Sequence, residues 1–154
     1  MINTTLCYVT RGNEVLMLHR VKKENDLNRD KWIGLGGKFE DKESPEECNL
    51  REVYEETGLR LLNYRYCGIV TFVSDKWETE YMHIFHSDSY EGEIKECDEG
   101  VLEWIDKQEL LKLPIWEGDK VFFLPHSGKN LERSNYKSTL GVQRTSAVGK
   151  ILSH

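Results

Sequence analysis

The sequence predicts an α/β domain made mainly of strands, with one well-delimited helix. Its 154 residues are the size of a single domain. Runs rich in β-forming residues lie on both sides of one strongly punctuated helical segment, and no internal repeat interrupts this order. Hydrophobic residues make up 38% of the chain and charged residues 31%, which is typical of a globular protein.

The N-terminal third begins with strands. Residues 2–10 and 14–20 are β-rich, and the intervening Arg-Gly-Asn predicts a hairpin turn. Residues 21–31 are polar and charged, which predicts a loop. The following segment, 32–38 (WIGLGGK), has three glycines within four positions. Such a backbone can approach a ligand or another strand closely.

The predicted helix follows this segment and has signals at both ends. Ser44 is the expected N-cap, Pro45 suits the first helical position, and Glu47 completes a capping box. Gly58 stands where a C-terminal cap glycine belongs. We expect an apolar stripe on the core side of the helix, formed by Leu50, Val53 and Tyr54.

Later elements are predicted from shorter patterns. Residues 61–73, 80–88 and 101–105 read as strands, and residues 106–112 and 116–124 as short helices. We assign residues 1–125 to the domain proper. Residues 126–154 carry five Lys or Arg and one acidic residue, and form a basic extension of the same domain, either a loose tail or a closing element.

Charge and cysteine usage narrow the class of partner. The net charge of −6 argues against a nucleic-acid polymer or an anionic membrane as partner. The N-terminus lacks the features of a signal peptide, and no apolar run has the length of a membrane span, so we expect a cytoplasmic protein. We expect this protein to be a monomer or a homodimer. The cysteines are too widely spaced for a four-cysteine zinc site and are expected to be free thiols: Cys7, Cys48, Cys67 and Cys97.

Three carboxylates on the helix are the first sign of chemistry. Glu52, Glu55 and Glu56 share one helical face at i, i+3 and i+4, with Arg51 beside them. Like charges this close repel one another, whereas Mg²⁺ or Mn²⁺ would be bound by carboxylate oxygens. A solvated acidic face is the alternative interpretation of these residues taken alone.

The wider spacing favours the metal-binding interpretation. The segment from Gly37 to Leu59 is similar at every defined position to the Nudix box, G-x5-E-x7-R-E-U-x-E-E-x-G-U, where U is aliphatic. Its matching residues are Gly37, Glu43, Arg51, Glu52, Val53, Glu55, Glu56, Gly58 and Leu59. The resemblance implies the Nudix α/β/α sandwich with a mixed sheet, and hydrolysis of a nucleoside diphosphate linked to another group by water attack on phosphorus.

The resemblance also implies roles for individual residues. Metal ligands for Mg²⁺ or Mn²⁺ fall on the Gly36 carbonyl, Glu52, Glu55, Glu56 and a later loop acid, Glu99, with Glu96 as the competing loop candidate. Glu55 or the loop acid serves as general base. Lys38 is expected to act in catalysis by offsetting charge on the phosphates. Arg51 is also expected to be catalytic, by orienting the carboxylates together with Glu43. Gly37 and Gly58 have structural roles in the box.

Two further stretches resemble the MutT-type group, which acts on oxidised purine triphosphates. They are residues 32–38 and the segment from Trp116 to Asp119. The resemblance implies 8-oxo-dGTP as the favoured nucleotide, bound by Arg20, Ile33, Leu35, Trp116 and Asp119. Ile33 departs from the polar residue of vertebrate members, and Trp116 is equally interpretable as a core anchor. Alternative functions are a Nudix hydrolase of ADP-ribose, nucleotide sugars or dinucleoside polyphosphates, and a non-catalytic Nudix ligand sensor.

Overall fold

The computed structural model describes residues 1–20, 31–95, 98, 100–113, 134–140 and 148–153, the last two ranges by their backbone alone. In chain order its elements are β1 (Ile2–Arg11), β2 (Glu14–His19), β3 (Trp32–Ile33), α1 (Pro45–Thr57), β4 (Arg60–Ser74), β5 (Glu80–Glu91), β6 (Val101–Asp106), α2 (Lys107–Leu110), β7 (Ser134–Leu140) and β8 (Val148–Ser153). The predicted loop of residues 21–31 lies, apart from its last residue, outside the described residues, and so does the predicted helix of residues 116–124.

The described strands form one mixed sheet, in the order β3-β2-β1-β5-β4-β7-β8, with β6 also paired to β2. The β1–β5 and β4–β7 pairs are parallel and the other pairs are antiparallel, which confirms the predicted mixed sheet. The predicted hairpin is also confirmed, but β1 and β2 pair only near the turn, at Thr10 and Arg11 of β1. Beyond that point the two strands diverge, and the glycine segment lies along the freed edge of β1.

Apolar residues pack on both faces of the sheet, since successive strand side chains point to opposite faces. The cluster on the side of α1, here called the helix-side cluster, comprises Cys7, Val9, Leu16, Leu18, Leu35, Val53, Leu59 and Phe85. The cluster on the other face, here called the opposite cluster, comprises Tyr8, Val15, Met17, Trp32, Cys67, Val70, Ile84, Ile105 and Leu110. Together they bury the sheet between α1 and the segment around α2.

Helix α1 has the predicted ends but a different buried face. The Ser44 Oγ accepts the Glu47 backbone N–H at 3.1 Å, and Gly58 ends the helix at a φ of 82°. Val53 is fully buried, but the predicted stripe is wrong at its flanks, since Leu50 and Tyr54 are 37% and 45% exposed. The buried face instead includes Cys48, Asn49, Glu56 and Thr57. Small and polar residues occupy it because β1 and the glycine segment approach closely there.

The C-terminal residues contain two strands. Strand β7 pairs with β4 in parallel, from Gly68 with Ser134 to Ser74 with Leu140, and β8 pairs with β7. Of the two alternatives for residues 126–154, this pairing matches the closing element. Within the described residues, no helix is long and apolar enough to cross a membrane. Cys7, Cys48 and Cys67 are buried free thiols, as predicted, while Cys97 lies outside the described residues.

Candidate active site

The glycine segment is held against the free edge of β1 by backbone hydrogen bonds. Leu35 and Cys7 exchange two of them, at 2.6 and 3.1 Å, and Thr5 donates its N–H to the Gly37 carbonyl at 2.9 Å. At Gly36, with a φ of 154°, an added Cβ would lie 1.9 Å from the Thr5 carbonyl oxygen. A side chain at Gly36 would therefore push the segment off the strand.

This docking brings the glycine backbone against two carboxylates of α1. The Gly36 N–H donates to Oε1 of Glu56 at 2.6 Å. A Cβ added to Gly37 would lie 2.5–2.7 Å from the Glu52 carboxylate atoms, so that carboxylate occupies the space that the glycine leaves open. Glu52 and Glu56, one turn apart, thus converge on the same two backbone residues. Glu55 lies on the more open side of the helix, with a side chain that is 56% exposed.

Arg51 links the remaining charges of the site. Its Nε and Nη2 donate to the two oxygens of Glu43 at 2.6 and 2.9 Å, in the forked geometry that suits a carboxylate. Its Nη1 donates to Glu52 at 2.8 Å and to Glu55 at 3.1 Å, and Nη2 also reaches the Lys38 carbonyl at 3.0 Å. The hydrogen bonds from Arg51 lower the pKa of Glu43 to about 2, while Glu43 and Glu52 raise the pKa of Arg51. The Arg51 guanidinium thereby holds together the glycine segment, the helix α1 and the loop between them, which contains Glu43.

The donor set suits a hard divalent cation. Glu52 and Glu56 offer carboxylate oxygens beside a glycine backbone with room for close approach, which is the oxygen-rich environment that Mg²⁺ and Mn²⁺ prefer. Within residues 1–20, 31–95 and 100–113, no three Asp, Glu, His or Cys side chains already converge on a single point. Arg51 instead bridges Glu52 and Glu55. The predicted loop acid, Glu99, and its alternative, Glu96, lie outside the described residues.

The structure places the predicted substrate contacts in different environments. Lys38 is exposed next to the glycines. Arg20 directly follows β2, and its N–H donates to the Lys31 carbonyl at 3.0 Å. Ile33 lies in β3 and packs against the helix-side cluster. Leu35 differs from its expected role, because its side chain is fully buried in that cluster and presents no surface to a nucleotide.

Two of the predicted base contacts, Trp116 and Asp119, lie outside the described residues. Their relation to the box residues therefore stays a prediction. The two histidines of β5, His83 and His86, make contacts on opposite faces, with Tyr66 and Asn3 in one case and with Thr10 in the other.

Three residues near the site were assigned no role there by the sequence predictions. Cys48 lies beneath the Arg51 network, with its Sγ 3.5 Å from Thr5 Oγ1, and burial raises the pKa of its thiol to about 11. Thr4 donates to Glu80 at 3.0 Å beside Lys38. A signal for Glu80 was present, since a carboxylate begins a strand whose next residues on the same face, Met82 and Ile84, are apolar.

The chain is similar over most of its length to several known proteins. The family model of the NUDIX domain matches residues 2–124. The chain is 34% identical over 120 residues to the Nudix hydrolase YvcI of Bacillus subtilis (strain 168), covering 75% of this chain and 72% of that protein. It is 35% identical over 121 residues to the oxidized purine nucleoside triphosphate hydrolase of Danio rerio, covering 77% and 75%. A mutator MutT protein from Bacillus halodurans superposes with a TM-score of 0.83 at 28% identity, covering 98% and 97% of the two chains.

Proposed function

The chain belongs to the Nudix family of hydrolases, and from this premise we propose that it is a Mg²⁺-dependent pyrophosphohydrolase of purine nucleoside triphosphates. Its favoured substrate is 8-oxo-dGTP, cleaved to the monophosphate and pyrophosphate. The convergence of Glu52 and Glu56 on the Gly36–Gly37 backbone carries this proposal. A cation bound at this point allows the negatively charged triphosphate to bind beside these acidic side chains.

The proposed cation ligands are the Gly36 carbonyl, Glu52, Glu55, Glu56 and the loop acid Glu99. When bound, Mg²⁺ or Mn²⁺ neutralises charge on the phosphate oxygens and lowers the pKa of a water molecule. The protein's own groups orient the reactants. Arg51 fixes the carboxylates, and Glu43, beneath it, keeps the guanidinium in place. Glu55, the most exposed of the three carboxylates on the helix face, accepts the proton of the attacking water.

Lys38 and the predicted substrate contacts complete the site. The Lys38 ammonium, exposed beside the glycines, offsets charge on the phosphates. For the base, we propose contacts from Trp116 and Asp119, with Ile33 at the neighbouring strand and Arg20 near the substrate's charged end. The similarity to the Danio rerio enzyme supports an oxidised purine triphosphate as the substrate.

A substrate panel tests the proposal. The purified chain is assayed with 8-oxo-dGTP, dGTP, dATP, ADP-ribose, a nucleotide sugar and a dinucleoside polyphosphate. The metal dependence is tested with excess EDTA and by adding back Mg²⁺ or Mn²⁺. We expect the highest kcat/KM for 8-oxo-dGTP, pyrophosphate as a product, and loss of turnover with EDTA that is reversed by Mg²⁺. Faster hydrolysis of ADP-ribose than of every triphosphate would refute the substrate assignment, and no turnover of any substrate would favour a ligand sensor.

A further inference from the structure

A row of polar side chains crosses three neighbouring extended segments on the sheet face opposite α1. At its centre, Thr4 of β1 donates its hydroxyl to Oε2 of Glu80, the first residue of β5, at 3.0 Å. On the edge of β1 away from β5, Thr4 forms an isolated antiparallel bridge with Lys38. Thr4 is only 7% exposed. The row therefore has a buried hydroxyl in the middle and opposite charges at its two ends.

Glu80 is partly buried at this position. Its register partners are Ile2 of β1 and Phe72 of β4, so Glu80 is flanked by a neighbouring strand on each side. Burial raises the pKa of Glu80, and the Thr4 hydrogen bond and the charge of Lys38 act in the opposite direction. Burying part of a carboxylate costs free energy unless hydrogen bonds replace its lost water. Thr4 supplies one such bond to Oε2.

An apolar surface lies directly beside this row. Leu6 and Met82 occupy the next positions on the same face as Thr4 and Glu80, and both are partly buried against the opposite cluster. Residues around α2, including Leu110, cover the far end of that cluster. The surface at the Glu80 end thus combines a partly exposed apolar floor with a fixed hydrogen-bond acceptor. A flat aromatic ring matches both features.

We propose that Glu80 is a specificity-determining residue whose carboxylate accepts hydrogen bonds from the ring N–H and amino group of a guanine-type base lying over Leu6 and Met82. This inference rests on the proposed function. The triphosphate has the same sign of charge as Glu80, so it extends toward Lys38 and the Gly36–Gly37 backbone. Adenine presents a ring nitrogen acceptor where guanine presents an N–H donor, and that acceptor repels a carboxylate.

Kinetics of matched variants test this assignment. The variants are Glu80→Gln, Thr4→Val and, as control, Glu78→Gln, which makes the same acid-to-amide change two residues earlier at a side chain that is 57% exposed. Each is assayed on dGTP and dATP, and binding of dGMP and dAMP is measured at equilibrium. For Glu80→Gln we expect the dGTP/dATP ratio of kcat/KM to fall roughly 10–100-fold, because a charged, two-point hydrogen bond is lost. Thr4→Val lowers the ratio less, and Glu78→Gln leaves it unchanged.

The monophosphate measurement keeps this inference separate from the proposed function. If the wild-type protein hydrolyses no triphosphate, the proposed function fails, but a tighter binding of dGMP than dAMP that disappears in Glu80→Gln still supports base reading by Glu80. An equal loss for both bases would overturn the inference. So would a change confined to ribose against deoxyribose substrates, since Glu80 would then contact the sugar. Circular dichroism and thermal unfolding show that each variant is folded.

Discussion

Gly37→Ala separates the position of the Glu52 carboxylate from the stability of the fold. The added Cβ would lie 2.5 Å from Cδ of Glu52, about 0.9 Å short of the 3.4 Å at which ordinary contact begins. The atoms it meets are the end of a flexible side chain, and φ at Gly37 lies outside the left-handed region. The carboxylate therefore moves by close to 1 Å, while the backbone stays in place.

The expected consequence is a large loss of activity with a small loss of stability. A displacement of about 1 Å in a catalytic constellation costs on the order of 100-fold in rate. The loss of folding free energy is limited to the partly buried Arg51–Glu52 hydrogen bond, about 1 kcal/mol. Steady-state kinetics give kcat and the Mg²⁺ concentration for half-maximal rate, and urea unfolding gives the free energy of unfolding.

Gly36→Ala is the contrasting variant. Its Cβ would lie 1.9 Å from the backbone oxygen of Thr5, which moves only if the segment leaves β1. We expect a stability loss of at least about 2 kcal/mol, because the strain is in the backbone. Near wild-type kcat in Gly37→Ala would refute the argument that the glycine positions Glu52. Equal destabilisation by the two variants would refute the distinction between side-chain and backbone clashes.

Three further predictions follow from burial and charge. The folded-state pKa of Glu43 is about 2, below its ordinary value, so its pair with Arg51 stabilises the protein above about pH 4.3. This contribution is lost as the pH falls toward 2. In urea unfolding at a series of pH values, the free energy of unfolding of Glu43→Gln should therefore depend less on pH than that of the wild type. Glu56→Gln should lower kcat at least about 100-fold with an unchanged circular dichroism spectrum, and near wild-type turnover would contradict its role as a ligand. Val53→Ala should cost about 2–3 kcal/mol of unfolding free energy and Leu50→Ala less than about 1 kcal/mol, since only Val53 is fully buried; similar values would show that the two positions are equally buried.

Local signals predicted the elements that the site is built from. The Ser44 cap, the Gly58 terminus and the hairpin turn depend on interactions within a few residues, so the sequence identifies them directly. The family was inferred from the resemblance of residues 37–59 to the Nudix box, and the match of the NUDIX domain model to residues 2–124 confirms it.

The burial of α1 was less predictable. An apolar stripe was expected to include Leu50 and Tyr54, but the core side of the helix holds Cys48 and Asn49. The periodicity of a helix gives the relative directions of its side chains, but it does not say which direction is buried. Hydrophobicity alone predicted the wrong residues at the middle of the buried face. The close approach of the glycine segment and β1 decided that centre, since larger side chains do not fit there.

By itself, the sequence determined the α/β class, the capped helix and the glycine segment from local patterns, and the family of hydrolases from its resemblance to the Nudix box. The tertiary structure decided how these residues meet, with Glu56 accepting the Gly36 N–H and Glu52 filling the space beside Gly37, while Glu55 stays near solvent. It also decided that Thr4 binds a carboxylate 76 residues away in the chain. Such contacts depend on which edge of β1 each segment packs against, and no local pattern in the sequence encodes that pairing.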